Sequence, residues 1–427
     1  MIQRLPKMRN QKSRLSLLEK SELSIADKNS IEICGFIYGP QNILPLLSAI
    51  QELFIDFNEL AIEIFYIFED SKSILENQSS FQTARQMIDF TDARLKAVSK
   101  FDFAGFSNRY LTEGLGTSKK YSQKMLFFPH SYDQESSELF KNLGEDRVNI
   151  CYGDGFGLAI KSDFQRNLTF KENLSNISLL RKLYRWIKNI VILSKFSDFF
   201  PDFFVLIIGI SQDGRLLKSN NLITCQKSEV VSLIKKIQKS CGIKSNSYLK
   251  NVSCLLLLER FHESGVLSYE EELNLYIAIL QKNSHIGGQI VLKNHPLANS
   301  RMLDDIKASF PELEFVEVPE AISNLPVEIW GLEETDLNVI SFGNATYSLK
   351  YLYQLDTRVS FEHSYSLLPR ELQEKPYVAD VFSLIDSTLR VMELDSDQPI
   401  VNPRRISFLD EITIKLVSWT RILRRSK

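Results

Sequence analysis

Short apolar runs, each closed by glycine, proline or a polar turn, alternate along this chain with longer stretches of helical apolar spacing. IEICGFIY (31–38), AIEIFYIF (61–68), MLFF (125–128) and VNICY (148–152) predict strands. Between them NILPLLSAIQEL, residues 80–100 and SSELFKNLGE carry the three-to-four-residue period of helices. The pattern changes over 161–200, where SLLRKLYRWIKNIVILS (178–194) reads as a basic amphipathic helix. Strands resume with FFVLIIGI (203–210), SCLLLLE (253–259), GGQIVLK (287–293), LEFVEV (313–318) and LNVISFG (337–343), with a helix at SYEEELNLYIAILQK (268–282). Alternating β and α predicts parallel sheets covered by helices. The expected organisation is a basic N-terminal segment (1–30), a Rossmann-like domain (31–200), a second one (201–400) and a basic C-terminal helix (401–427). The join is expected near 195–203, with ligands held in a cleft beyond the carboxyl ends of the strands.

A length of 427 residues agrees with two domains. The net charge of −2 argues against a nucleic-acid binder with a basic surface. Both termini are nonetheless basic, which fits an anionic surface or solvated tails. The five cysteines have no CxxC spacing and an odd count, the usage of a reducing compartment rather than of a disulfide framework or a zinc site. The first twenty residues lack an apolar core, so no signal peptide is expected. No apolar run approaches the ~20 residues of a membrane span. The expected location is cytoplasmic.

Several motifs are absent. Gly153, Gly155 and Gly157 lack GxGxxG spacing, no P-loop is present, and His130, His262, His285, His295 and His363 form no HExxH or metal cluster. Asp395 and Asp397 lie in a polar stretch and read as a turn. Three strand ends stand out instead. The first is Gly153-Asp154-Gly155, where a carboxylate follows a strand and flanking glycines let a substrate approach. Asp154 there can accept a proton from an attacking hydroxyl, or bond its own backbone in a turn. The second is Lys293-Asn294-His295-Pro296, where a strand leads into a helix whose N-terminus favours an anion. The bland alternative is a histidine capping the helix or satisfied in the core. The third is SFGNATYS, with Gly343 closing a strand and Thr346 and Ser348 opening a helix, either as caps or as ligands of a phosphate oxygen. Between the last two, Glu328 lies beside a short apolar run after Pro326.

These motifs, in this order across two α/β domains, resemble the bacterial sialyltransferases of GT-B fold, and among them the polysialyltransferase-like group of capsule and surface-glycan enzymes. That family carries an acidic pair before glycine in the N-terminal domain, and His-Pro and Ser/Thr motifs in the C-terminal domain. The resemblance implies a GT-B-like fold, two Rossmann-like domains facing a central cleft. It implies an inverting transferase that moves a sialic-acid-type sugar from a CMP donor to a glycan acceptor, with no cofactor beyond that donor and no metal. By position, Asp154 would be the base and His295 the acid on the leaving CMP. Thr346 and Ser348 would bind its phosphate, and Glu328 would hold the ribose hydroxyls. Lys293, Pro296 and Gly343 complete the donor side, and Gly153 and Gly155 the acceptor loop. Two departures stand out: Gly153 replaces the first acidic residue, and Tyr347 separates the hydroxyl pair. The alternatives are CMP-Kdo, a UDP or GDP sugar as donor, or a glycan-binding protein that kept the shell without catalysis.

Leu179, Leu183, Trp186, Ile187 and Ile190 share one face of the 178–194 stretch, with Arg181, Lys182, Arg185 and Lys188 largely opposite. Ile412, Leu416, Trp419 and Leu423 repeat the style against Lys415, Arg421, Arg424 and Arg425. Such faces pack on a core, or lie on an anionic membrane as a peripheral contact at its inner face.

Overall fold

The computed structural model describes residues 31–53, 61–68, 73–99, 123–129, 147–153, 203–207, 222–243, 249, 251–259, 261–263, 267–282, 288–295, 301–332, 337–340, 344–353 and 366–374. They form two compact units that divide between Leu233 and Ile234. Each unit is built on one parallel sheet, a Rossmann-like α/β architecture.

The first unit contains β1 (Ile31–Ile37), β2 (Ala61–Phe68), β3 (Arg94–Ser99), β4 (Gln123–Phe128), β5 (Arg147–Gly153), β6 (Phe203–Leu206) and β7 (Leu222–Thr224). Their order is β3-β2-β1-β4-β5-β6-β7, with every pairing parallel. β1 is central, and Ile33, Cys34, Phe36 and Ile37 are all buried. Burial on both faces is why its sequence reads as an apolar run rather than an alternation. Cys34, Phe36, Phe65, Ile67, Leu126 and Phe128 form the core on one face. Phe36 stacks on Phe128 at 4.7 Å and on Phe65 at 5.5 Å. On the opposite face lies α1 (Ile43–Leu53). A Cβ at Gly35 would come within 2.7 Å of the Leu46 side chain, so the glycine sets how closely the helix sits on β1. A capping box starts α2 (Ile74–Ile88): Ser73 Oγ accepts from Glu76 N–H, and Ser73 N–H donates to the Glu76 carboxylate.

The structure corrects two expectations. The helical reading of 80–100 holds only to Ile88, since Arg94–Ser99 is edge strand β3, tied to β2 by Lys96 Nζ donating to Glu63 Oε1 at 2.7 Å. The domain boundary is also displaced. FFVL does not begin the second domain: β6 pairs with β5, and β7 extends the same sheet. The division falls within α3 (Lys227–Ser240), whose apolar face supplies Val230, Leu233, Ile234 and Ile237 to the buried interior. SSELFKNLGE, the 178–194 stretch, Asp395, Asp397 and the 401–427 segment lie outside the described residues.

The second unit orders its strands β10-β9-β8-β11: β8 (Val252–Leu257), β9 (Gln289–Lys293), β10 (Phe315–Val316) and β11 (Asn338–Ile340). Helices α4 (Tyr269–Lys282), α5 (Arg301–Ser309) and α6 (Asn344–Tyr353) follow β8, β9 and β11 respectively. Both sheets reverse their order beside their first strand, between β1 and β4 and between β8 and β11. The carboxyl edge at such a reversal is where open α/β sheets hold ligands.

All five cysteines are thiols. Cys34, Cys151, Cys225 and Cys254 are buried, and desolvation pushes the partly buried Cys241 thiol up to about 11.

Candidate functional site

In the first unit β5 ends at Gly153. Its carbonyl accepts from Ile207 N–H at 3.0 Å, and the preceding Tyr152 sends its hydroxyl to the Phe36 carbonyl at 2.6 Å. The strand end is therefore tied both to β6 and to the end of β1. Asp154 and Gly155, which follow, lie outside the described residues, as do Pro296 and Gly343 in the second unit.

In the second unit Lys293 closes β9. Its ammonium donates to the Ser323 carbonyl at 3.0 Å and lies 4.8 Å from the centre of the fully buried Trp330 ring. Desolvation pulls the Lys293 ammonium down to about 8, and the nearby Glu328 carboxylate partly offsets this. Trp330 Nε1 donates to the Leu325 carbonyl at 3.2 Å, and Tyr353 at the end of α6 donates to the Glu328 carbonyl at 2.5 Å. A cation–π contact of this kind, once desolvated, is worth about 2 kcal/mol. Lys293 therefore staples the 323–330 segment to the sheet edge, and Tyr353 pins α6 to the same segment. Lys293, the 323–330 segment and the end of α6, far apart in sequence, thus meet in one place. His295 is two residues past Lys293 and partly buried. Ser348 is buried on α6, and Thr346 lies two residues before it on the same helix.

A further cluster sits where β8 ends, and sequence reasoning missed it. Glu272 of α4 is 0% exposed. Its Oε1 accepts from Phe261 N–H at 3.2 Å and from the Tyr276 hydroxyl at 3.3 Å. Its Oε2 accepts from His262 N–H at 2.8 Å and lies 2.5 Å from His262 Nδ1. Tyr276 in turn accepts from Glu259 N–H at 2.6 Å. A second capping box, Ser268 with Glu271, fixes the start of α4 and hence the side on which Glu272 emerges. The signal available was LERFHE after a strand, the same placement as Lys-Asn-His after β9. Among the described residues no group of three or more His, Cys, Asp or Glu could hold a metal ion.

Desolvation, aided by Glu272, pushes the Glu259 carboxyl from 4.5 up to about 8. In that window the folded chain keeps a proton that the unfolded chain releases, so this group's stabilisation is full below 4.5 and lost as pH rises to 8. Lys293 acts above it: between about 8 and 10.5 the unfolded chain holds the extra proton, so stability rises with pH. Glu259→Gln should therefore flatten the thermal midpoint's fall between pH 5 and 8, by roughly 5 °C or more, and leave the rise above pH 8 in place. Scanning calorimetry of both proteins across pH checks this.

No protein-family model matches the sequence, and no curated protein matches it. Solved structures of similar chain path do exist, UDP-GlcNAc 2-epimerases among them. UDP-GlcNAc 2-epimerase from Methanocaldococcus jannaschii is 11% identical with a TM-score of 0.46, covering 92% of this chain and 99% of its own. The enzyme from Neisseria meningitidis, bound to UDP-GlcNAc, is 10% identical with a TM-score of 0.46, covering 92% and 100%. MnaA of S. aureus, solved with UDP, is 9% identical with a TM-score of 0.44, covering 92% and 97%. None of these three is a sialyltransferase, and the likeness is one of general fold.

Proposed function

We propose that this protein is an inverting GT-B-type glycosyltransferase that moves a sialic-acid-type sugar from a CMP donor to a glycan hydroxyl, in surface polysaccharide synthesis. One observation supports this above others: Lys293, Glu328 and α6 are stapled together at the carboxyl edge of the second sheet. His295, Glu328 and the Thr346/Ser348 helix are the positions that the sialyltransferase resemblance assigns to donor phosphate, ribose and phosphate again. In this reading the donor binds to the second unit and the acceptor at Gly153-Asp154-Gly155 of the first.

The chemistry asks for two things. The acceptor hydroxyl must lose a proton as it attacks, and the departing CMP phosphate must be stabilised. Asp154 takes the proton. His295 hydrogen-bonds the phosphate, with Pro296 and Gly343 shaping the approach to it and Thr346 and Ser348 completing its ligands. Lys293 has a different part from the one its charge indicates in sequence. Its ammonium is directed to Ser323 and Trp330, so it holds Glu328 in place rather than reaching for phosphate.

Nucleotide release from CMP-, UDP- and GDP-sugars with a glycan acceptor tests the proposal. Release from a CMP-sialic-acid-type donor alone is expected. Release only from CMP-Kdo or from a UDP or GDP sugar would replace the donor class. Glycan binding without any release would replace the enzyme with a binding protein.

Among the described residues no helix is long and apolar enough to cross a membrane. Contact of a cytoplasmic enzyme with an anionic membrane, through the C-terminal stretch, belongs to the same proposal. Each basic residue near such a surface contributes about 1 kcal/mol, screened by salt. Deleting residues 412–427 should weaken binding to anionic liposomes, and raised salt should do the same to the full chain. Unchanged sedimentation with those liposomes would dismiss the tail as the anchor.

A further inference from the structure

The turn after β8 holds a preorganised imidazole that the roles above leave unused. A carboxylate only accepts, so its 2.5 Å contact places a proton on His262 Nδ1. Nε2 is then the ring's remaining bonding position, on a side chain that is 19% exposed. The edge of Tyr269, with ring centres 5.2 Å apart at 87°, holds the plane of the imidazole. Burying Glu272 completely is costly unless its oxygens are satisfied. All four contacts that satisfy them come from the turn and from Tyr276, which itself holds Glu259 N–H. The whole assembly therefore fixes one direction for Nε2.

What lies along that direction decides the ligand. Glu263 Oε1 is 3.7 Å from Nε2, too long for a hydrogen bond, and presents a second acceptor. With Glu272 behind the ring, an anion such as phosphate is repelled here. A hydroxyl can donate to Nε2 or to Glu263. The location fits as well: β8 borders the strand-order reversal. Leu258 N–H donates to the Lys293 carbonyl at 2.9 Å, so β8 and β9 stay paired to their ends. Leu257 pairs with Lys293, so this turn leaves the same edge of the sheet as the stretch that carries His295.

We propose that His262 Nε2 and the Glu263 carboxylate form a hydroxyl-recognition site for a carbohydrate ring bound at the carboxyl edge of the second sheet, with Glu272 as the positioning residue; that the ring belongs to a nucleotide sugar rests on the function proposed above. No bond is made or broken at this site. The hydroxyl shares its proton with Nε2, and Glu272 keeps Nδ1 protonated.

The test is long-range proton–nitrogen NMR of the full chain, whose five histidines make assignment by substitution practical. His262→Asn supplies the assignment and is also the functional variant, because its amide can still donate to Glu272 while the Nε2 acceptor is lost. Wild-type His262 should show the Nδ1–H tautomer, and Glu272→Gln should mix the tautomers, which a staple of the turn alone would not require. Saturating with whichever CMP, UDP or GDP sugar binds should move the Nε2 resonance. His262→Asn should keep the thermal midpoint and lose about tenfold in affinity by calorimetry. The free nucleoside monophosphate, with and without its 2′ and 3′ hydroxyls, separates the ribose from the transferred sugar as the source. An unmoved Nε2 resonance at saturation, or wild-type affinity in His262→Asn, overturns the site. If no nucleotide sugar binds, the proposed function fails by itself. The resonance is then titrated with neutral methyl glycosides, where a shift supports hydroxyl recognition and its absence overturns it.

Discussion

Changing Asp154 to asparagine should cut turnover about 100-fold or more while leaving nucleotide affinity where it was. Asparagine keeps the size and one acceptor oxygen but cannot take up a proton, and a positioned base contributes about 10²–10⁴ in rate. The strand end before it is well anchored. Gly153 pairs with Leu206 in parallel register, and the hydroxyl of Tyr152 reaches the Phe36 carbonyl. An isosteric change one residue later leaves those ties intact, so a rate loss reads as lost chemistry rather than as lost fold. Steady-state nucleotide release, paired with calorimetric CMP binding, makes the measurement. Wild-type turnover in the variant would remove Asp154 from the mechanism and return it to a turn.

His295→Ala should differ in a telling way, because both turnover and CMP affinity should fall. Removing one donor aimed at developing charge costs roughly 10²-fold in rate, and the same contact exists in the ground state once the phosphate is bound. The Lys293 staple to Ser323 and Trp330 does not involve the imidazole, so the surrounding edge should persist. Normal activity with unchanged CMP affinity would leave His295 as a histidine that serves the fold alone.

The interior strands were legible because parallel strands buried on both faces must be apolar along their length. IEICGFI, AIEIFYIF and VSCLLL announce themselves in that way. β3 was not legible. RLKAVS lies at the sheet edge with no residue buried and Arg94, Ala97 and Ser99 exposed, so it continued the period of the helix before it. β7 is three residues long and gives too little pattern to read. The misplaced boundary has another cause: an apolar run says that a strand is buried but not which sheet it joins, and FFVL looks the same at the end of one sheet as at the start of the next. The site divides similarly. Lys293, His295 and Glu328 could be named from strand ends and resemblance. The partner of Lys293, a main-chain carbonyl thirty residues on, could not. Nor could the pairing of His262 with Glu272, since periodicity predicts which positions are buried and is silent on which polar group meets which.

The placement of the thiols makes this molecule its own unfolding reporter. Cys34, Cys151 and Cys225 are shut inside the first unit, and Cys254 inside the second, while Cys241 resists ionisation at neutral pH. Only the thiolate reacts with an alkylating reagent, so all five should label slowly in the native protein. Each opening of a sheet then exposes a characteristic set. Brief pulses of iodoacetamide, read by peptide mass, would time the breathing of each unit separately and without an engineered label site.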